Sequence, residues 1–313
     1  MSDSTKLTIV GAGRVGSTYA YTLAASGLVR EIVVVDADPA RAEGEVMDIV
    51  HSVPFHRPVH VRAGTLADAA GSIATVITAG AAQKPGESRT ALMQRNVEAL
   101  RGIVGDVVQA NPDGLLLVAT NPVDALTWAA LRMSGLPSGR VIGSGTVLDS
   151  ARLRAELAAH YGLDARNVHA YVLGEHGDSE FVAWSTASIG NMGLQAYCAE
   201  TGRSCDAQEL EAIALRVRNA AYEIIRRKGA TNFAIAAALM RIVEAIVRDE
   251  ASVLTVSTLV QGEYGIADVC LSLPAVVGRA GVQRVLKVPL SEPEVQALRR
   301  SAEAIRAASA DLR

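Results

Sequence analysis

The chain has 313 residues, half of them hydrophobic and 20% charged, with a formal net charge of −3. This composition indicates a globular protein with an aliphatic core, and the length suggests one large domain or two of ordinary size. No basic patch or long run of like charge appears, which argues against a nucleic-acid partner.

The sequence favours a cytoplasmic protein over a membrane or secreted one. The start, MSDSTKLTIV, passes directly into a strand-like run without the apolar core of a secretion signal. The most apolar stretch, GATNFAIAAALM, is followed by Arg241 and Glu244 and is too short to span a bilayer. Three cysteines, Cys198, Cys205 and Cys270, include no CxxC pair, so we expect three free thiols in a reducing compartment.

Short β-branched runs alternate with helix-length segments through the first half of the chain. The six runs are KLTIV, EIVVVD, VHVRAG, ATVITAG, LLLVAT and RVIGSG. Such alternation is typical of an α/β fold, in which helices cover both faces of a doubly wound parallel sheet.

A glycine motif follows the first of these runs and precedes a helix-like segment. It reads Gly11-Ala12-Gly13-Arg14-Val15-Gly16, and Asp36 ends the second run twenty residues after Gly16. Glycine-rich turns often serve only close packing, so the motif alone would be weak. In this context, however, the glycines let the backbone approach a pyrophosphate, and the acid can bind an adenosine ribose while repelling a 2′-phosphate. We therefore predict a Rossmann domain that binds NAD rather than NADP, with Arg14 and Val15 beside the glycines.

After about residue 145 the pattern changes to a mixed α+β arrangement. A helix opens at TVLDSARLRAELAAHYG, and extended stretches follow at NVHAYVLG and FVAWSTASIG. Two helices are predicted at about 206–228 and 231–249, then strands at VLTVSTLV and ADVCLSLPAVV, and a final helix after Ser291. We expect domains at 1–144 and 145–313, with the helix near 231–249 packing back on the first domain.

One histidine and four other polar residues are candidates for catalysis or substrate binding. His176 lies in YVLGEHGDSE, where it could be an ordinary turn residue. Asp149 and Arg152 are three apart on one predicted helix face, where the alternatives are a helix-capping acid and a surface ion pair. Arg89 ends the loop AAQKPGESR, and Asn121 lies in the turn TNPVD. Each alternative is reasonable alone, but together, behind a nucleotide-binding motif, the five residues indicate an active site.

The sequence resembles the NAD-dependent lactate/malate dehydrogenase family, and most closely its bacterial L-lactate dehydrogenases. The motifs that carry the resemblance run nearly from end to end: GAGRVG, EIVVVD, GAAQKPGESR, ATNPVD, GSGTVLDSARLR, LGEHGDSE and KGAT. By this resemblance His176 is the acid–base group, Asp149 orients it, and Arg152 holds the substrate carboxylate. Arg89 would close with its loop onto the reacting oxygen. No metal is implied.

Four further positions have roles that come from the resemblance alone. Asn121 would contact both the substrate oxygen and the nicotinamide, Ser144 the carboxamide, and Thr231 the substrate side chain. Gln83 stands where relatives that act on oxaloacetate usually carry an arginine, and a neutral amide cannot pair a second substrate carboxylate. This favours pyruvate and L-lactate, with malate dehydrogenase as the alternative because Lys84 lies next to Gln83. A non-catalytic dinucleotide-binding protein is the remote alternative.

A pair of basic residues suggests regulation. Arg154 lies two residues after Arg152, and His169 lies seven before His176. Relatives activated by fructose 1,6-bisphosphate carry an arginine and a histidine at the matching positions, at a subunit interface of a tetramer. The resemblance thus implies a homotetramer that works in glycolysis and fermentation and is activated by the sugar bisphosphate. The alternative is an unrelated surface arginine and strand histidine.

Overall fold

A parallel sheet organises the first half of the chain. The computed structural model describes residues 5–80 and 89–310. Six strands run parallel in the order β3-β2-β1-β4-β5-β6. They are β1 (Lys6–Val10), β2 (Glu31–Val35), β3 (His60–Ala63), β4 (Ala74–Ile77), β5 (Leu115–Val118) and β6 (Val141–Gly143). All six predicted strands are confirmed, as is the α/β fold class.

The strand order leaves a crevice between β1 and β4. Chain connections leave β1 toward β2 on one side and enter β4 on the other, so the loops after these two strands diverge. Ligands of doubly wound sheets bind at such a point, outside the carboxyl ends of the strands. The helices that cover the sheet in this half are α1 (Arg14–Ser26), α2 (Pro39–Ser52), α3 (Arg89–Ala110) and α4 (Val123–Ser134).

Two strands from the second half extend the same sheet. β13 (Ser257–Gln261) pairs antiparallel with β6 through Ser257 and Gly143, and β14 (Ala267–Ser272) pairs with β13. The sequence predicts these strands but assigns them to the second domain. The sheet therefore has eight strands among the described residues, and its last two tie the halves of the chain together.

The rest of the second half is a mixed layer of helices and short strands. Its helices are α5 (Val147–Tyr161), α6 (Leu194–Thr201), α7 (Ala207–Lys228), α8 (Phe233–Val247) and α9 (Glu292–Ala308). Its strands are β7 (Val168–His169), β8 (Val172–Leu173), β9 (Phe181–Val182), β10 (Ser188–Ile189), β11 (Met192–Gly193), β12 (Ser252–Leu254), β15 (Ala275–Gly278) and β16 (Gly281–Val285). Helix α6 and strands β11 and β16 are absent from the sequence prediction. No helix within 5–80 or 89–310 is long and apolar enough to cross a membrane.

Helix α8 packs against helix α1 of the nucleotide-binding half. Leu239 and Val243 of α8 are fully buried in the same apolar cluster as Tyr19 and Leu23 of α1. Just before α8, the Asn232 side-chain amide donates a hydrogen bond of 3.0 Å to the hydroxyl of Thr18. An apolar helix from the second half thus completes the core of the first, which is why its sequence is rich in alanine and isoleucine.

The expectation of three free thiols is wrong for two of them. Cys198 and Cys205 form a disulfide with their Cα atoms 6.0 Å apart, and only Cys270 is free and buried. The reason is a chain reversal: Gly202, the residue directly after α6, has a left-handed backbone that turns the chain back so that the two side chains meet. The cysteine content therefore gives no argument for a reducing compartment.

We predict that reducing this disulfide lowers the free energy of unfolding by about 2 kcal/mol, a modest amount because the loop it closes is short. Urea unfolding with and without a thiol reductant measures the difference. A Cys198→Ser/Cys205→Ser double variant is the control and should unfold like the reduced protein in both conditions. An equal effect of reductant on that variant would contradict the prediction.

Candidate active site

The glycine motif forms the floor of the crevice after β1. A Cβ atom at Gly11 would lie 2.5 Å from the Ala79 backbone nitrogen, and one at Gly16 would lie 1.8 Å from the Gly11 carbonyl oxygen. Gly13, at the N-terminus of α1, is exposed, and a Cβ atom there would meet nothing within 4 Å. Two glycines therefore permit close packing, while the third leaves room for a ligand at the positive end of a helix.

Asp36 lies at the rim of this crevice, directly after β2. Its carboxylate accepts hydrogen bonds from the backbone nitrogens of Ala12, at 2.6 Å, and Asp38, at 2.9 Å. It lines a cavity of about 720 Å³ together with Gly11, Gly13 and other residues of the strand ends. A carboxylate fixed in this way keeps lone pairs for ribose hydroxyls, so the crevice fits an adenine dinucleotide without a 2′-phosphate.

The cavity contains one cationic side chain that the sequence interpretation missed. Arg41, in the first turn of α2, lines it near Asp36. Arg14 is exposed in the first turn of α1, and Val15 is half-buried behind it. No pattern in the sequence distinguished Arg41 from the other charges of its helix.

His176 lies in the loop between β8 and β9, where it meets helix α5. Its Nδ1 is 2.5 Å from Oδ2 of Asp149, and that carboxylate is only 2% exposed. The second oxygen, Oδ1, accepts a hydrogen bond of 2.8 Å from Nη1 of Arg152. Three residues predicted to act together are thus in direct contact. One buried carboxylate joins a ring nitrogen to a guanidinium.

The environment of His176 favours its protonated form. Burial alone would lower the pKa of the imidazole, but the charge and hydrogen bond of Asp149, aided by Asp124 and Glu180, outweigh it and raise the pKa to about 9. For Asp149, burial would raise the pKa, yet the charges and hydrogen bonds of His176 and Arg152 hold it below its usual value. The resting pair is therefore imidazolium and carboxylate near neutral pH.

Two buried acids beside the histidine were not assigned a role from the sequence. Asp124, 2% exposed, accepts hydrogen bonds from the backbone nitrogen of His176 at 2.7 Å and from the Ser257 hydroxyl at 2.6 Å. Burial raises the pKa of Asp124 to about 6. Glu180 is 6% exposed, and burial together with the Asp149 charge raises its pKa to about 8. The only sequence signal was their position within TNPVD and LGEHGDSE, which contain Asn121 and His176.

The same carboxylates raise the question of a metal. Ligand atoms of Asp149, His176 and Glu180 all lie within 4.8 Å of one another. However, His176 and Asp149 already bond to each other, and the Arg152 guanidinium occupies the other face of Asp149. A cation would have to displace both contacts, so we assign no metal to this cluster.

Three further candidates lie on described parts of the chain, two after strands of the sheet and one between two helices. Asn121 is exposed after β5, and its backbone carbonyl oxygen accepts a hydrogen bond of 3.2 Å from the side-chain amide of Asn96. Ser144 is buried after β6, with its backbone nitrogen bonded to the Val118 carbonyl. Thr231 is half-buried between α7 and α8. Gln83 and the side chain of Arg89 lie outside the described residues, so their roles stay predictions.

Arg154 and His169 share a different, smaller cavity. Both side chains are exposed, and with Tyr171 they line a space of about 170 Å³ that includes the end of β12. Helix α5 therefore carries Arg152 toward His176 and Arg154 toward this second cavity, two positions apart on the helix.

Comparison with known proteins gives one family for both halves of the chain. Residues 5–143 match the NAD-binding domain model of the lactate/malate dehydrogenases, and residues 146–311 match the alpha/beta C-terminal domain model. The L-lactate dehydrogenase of Acetivibrio thermocellus is 52% identical over 96% of this chain and 95% of its own length. L-lactate dehydrogenase 1 of Clostridium acetobutylicum is 47% identical over 98% of each chain.

Solved structures agree with the sequence relatives. A lactate dehydrogenase from a Medee basin deep-sea metagenome library superposes with a TM-score of 0.96 at 44% identity, over 99% of both chains. The minor L-lactate dehydrogenase of Enterococcus mundtii, in a ligand-bound form, also gives 0.96, at 38% identity over 99% of both chains.

We predict that Asp149→Asn lowers the pKa of His176 from about 9 toward the unperturbed 6.5, because the imidazolium loses its counter-charge. Because folding raises the pKa of His176, the imidazolium contributes to the free energy of unfolding. This contribution is complete below pH 6.5 and is lost as the pH rises through 9. NMR titration of the imidazole measures the pKa, and unfolding at several pH values measures the loss. Asp164→Asn, an exposed acid paired with Arg166, is the matched control. An unchanged His176 titration in Asp149→Asn would contradict the assignment.

Proposed function

Because this chain belongs to the lactate/malate dehydrogenase family, we propose that the His176 site interconverts L-lactate and pyruvate. Relatives and solved structures of nearly the same length are named lactate dehydrogenases, so the protein is an oxidoreductase with L-lactate dehydrogenase activity. Its cofactor is NAD, in agreement with the matched NAD-binding domain. The observation that carries the proposal is the direct contact between His176 and the buried Asp149.

His176 is the proton carrier of the proposed reaction. In pyruvate reduction its imidazolium donates a proton to the carbonyl oxygen, and in lactate oxidation the neutral ring removes the hydroxyl proton. Asp149 stabilises the charged ring and fixes which nitrogen faces the substrate. When bound in the crevice, the cofactor would supply the hydride as NADH in the reduction and accept it as NAD+ in the oxidation. Since the pKa of His176 is raised to about 9, the proton-donating form that the reduction of pyruvate requires predominates at neutral pH.

Arg152 is proposed to hold the substrate carboxylate. Its guanidinium is 13% exposed and uses Nη1 on Asp149, which leaves further N–H groups for a second carboxylate. The planar fork matches a carboxylate in a bidentate pair. Asp149 would thus hold both the acid–base group and the substrate anchor in one geometry. Arg89, Asn121 and Thr231 are proposed to complete the substrate pocket, and Ser144 to contact the carboxamide of the cofactor.

Substrate choice between pyruvate and oxaloacetate is proposed to depend on Gln83. Its neutral amide cannot pair the second carboxylate of oxaloacetate, whereas an arginine there would attract that group and suit pyruvate less well. Malate dehydrogenase activity is the second candidate, because the cationic Lys84 is adjacent in sequence.

Gln83→Arg should raise kcat/KM for oxaloacetate and lower it for pyruvate, changing the ratio about a hundredfold or more, since one buried charge is newly paired. NADH oxidation assayed with the two keto acids in parallel measures the ratio. Lys84→Gln is the control and should leave it within about threefold. A ratio unaffected by Gln83→Arg would rule out Gln83 as the discriminating residue. A wild-type enzyme that prefers oxaloacetate would overturn the choice of substrate.

The enzyme is further proposed to be a homotetramer. Several large apolar side chains are exposed to solvent on two separate parts of the chain. They are Met47 and Val50 on α2, Phe55 just beyond it, and Leu215 and Ile225 on α7. A subunit contact would remove such apolar surface from water. We also propose that the enzyme acts in the cytoplasm, in fermentation, because it needs glycolytic pyruvate and the nicotinamide pool.

Fructose 1,6-bisphosphate is proposed to activate the enzyme at the Arg154 and His169 cavity. Two exposed basic groups on one cavity provide the charge that phosphate binding needs. If this cavity meets its symmetry mate in a tetramer, repulsion between the cations would weaken assembly until an anion binds, which links effector and activity.

We expect the sugar bisphosphate to lower the apparent KM for pyruvate several-fold, and Arg154→Gln/His169→Ala to abolish this response while basal turnover remains. Steady-state kinetics from pH 5.5 to 8 covers the titration range of histidine. Arg166→Gln, on an exposed arginine outside the cavity, should respond like the wild type. A wild-type enzyme indifferent to the effector over this range would refute the regulation and leave the catalytic proposal intact.

A further inference from the structure

One serine of the last helix contacts the loop that carries the catalytic histidine. Ser301 lies on α9 and is fully buried. Its Oγ accepts a hydrogen bond of 2.6 Å from the backbone nitrogen of Glu175, the residue before His176. The same Oγ lies 3.0 Å from the Ser179 hydroxyl and 3.3 Å from the Ser179 carbonyl oxygen. A single hydroxyl therefore binds the loop on both sides of His176.

This contact depends on a glycine at the start of the loop. A Cβ atom at Gly174 would lie 2.5 Å from the Ser301 Oγ, so any other residue there would displace the serine. Gly174 also has φ of +93° and exchanges two backbone hydrogen bonds with Ser272 of β14. A glycine is thus required at position 174 because a side chain there would collide with Ser301, 127 positions later in the chain.

Helix α4 fixes the loop from a second direction. The backbone nitrogen of Glu175 donates to Ser301, and that of His176 donates to Asp124 at 2.7 Å. The Ser179 hydroxyl in turn donates to the Glu175 carboxylate, which links the two ends of the loop. Two consecutive amides are therefore anchored to different helices. Rotation of the loop that would move the imidazole away from Asp149 must break at least one of these bonds.

We propose that Ser301 is a positioning residue for His176: it holds the loop so that the imidazole stays in contact with Asp149 and directed at the substrate. The inference rests on the proposed function, in which His176 transfers the proton. Proton transfer needs the two heavy atoms at hydrogen-bond distance, and an error of about 1 Å in such a site can cost about a hundredfold in rate. The hydroxyl acts through the backbone and does not touch substrate.

A purely structural role for Ser301 makes different predictions. Helix α9 is capped at its N-terminus by Ser291 and Glu294 and does not need the Ser301 hydroxyl for its own backbone. The residue directly after the helix offers a matched control: Ser309 is 2% exposed and donates to the Ile305 carbonyl of α9 at 2.8 Å. Removing either hydroxyl alters a buried serine at this helix, but of the two only Ser301 contacts the loop of His176.

The test compares Ser301→Ala, Ser301→Cys and Ser309→Ala with the wild type. We expect both Ser301 variants to lower kcat for pyruvate about tenfold, with KM for pyruvate and NADH affinity changed less than twofold. Alanine leaves a small space at this buried position, whereas the thiol of cysteine is larger than the hydroxyl and forms only weak hydrogen bonds. A loss shared by both variants therefore follows from the missing hydrogen bond rather than from a change of packing in one direction. Ser309→Ala should keep wild-type kcat. Normal kcat in both Ser301 variants would overturn the proposal.

A second measurement does not depend on turnover. NMR titration of His176, assigned with a His176→Gln variant, should show its pKa lowered by at least half a unit in the Ser301 variants and unchanged in Ser309→Ala. The charged groups that act on this ring or its partner stay in place: Asp149 and Arg152 on α5, Asp124 on α4, Glu175 and Glu180 in the loop, and Arg218 on α7. A shift would therefore report altered geometry.

The two measurements separate failure of this inference from failure of the proposed function. A wild-type enzyme without pyruvate reductase activity would refute the function, and the titration would still decide whether Ser301 holds His176 against Asp149. Equal pKa values in the wild type and both Ser301 variants would overturn the positioning role even if the enzyme reduces pyruvate.

Discussion

The burial of the Asp149 carboxylate is the constraint on which the rest of the site depends. A carboxylate that is 2% exposed is costly unless positive groups and hydrogen-bond donors surround it. Asp149 has two such partners, His176 on one oxygen and Arg152 on the other. Each partner is thereby fixed as well, so the acid–base group and the proposed substrate anchor have a defined separation before substrate arrives.

Two more buried carboxyl groups, beyond that of Asp149, affect the charge of His176. Asp124 and Glu180 add carboxyl groups near the imidazole, and burial raises the pKa of both, to about 6 and about 8. Together with Asp149 they raise the pKa of His176 to about 9, although burial opposes this. The site is therefore biased toward the protonated histidine, the form that donates a proton to a keto acid. A substrate anion adds to the negative charge beside the ring and should strengthen this bias.

The fold brings the cofactor crevice and the acid–base centre together without a flexible linker. The crevice forms at the carboxyl ends of β1 and β2. The segment TNPVD after β5 contacts the loop between β8 and β9 through the hydrogen bond between Asp124 and His176. Strands β13 and β14 continue the sheet, and α8 packs on α1, so both halves share one core. The crevice and the acid–base centre are therefore parts of one packed unit.

The sequence by itself determined the six parallel strands, the glycine motif with Asp36, and the proposed catalytic set of His176, Asp149 and Arg152, whose roles come from the family resemblance. Strand and helix periodicity and turn chemistry are local properties, and the motifs follow from residue type and short spacing. Only the tertiary structure decided which distant residues support them. The Ser301–Glu175 and Ser257–Asp124 bonds join positions 126 and 133 apart. No local pattern encodes such pairs, because they form only when helices and sheet pack and bury their polar groups together.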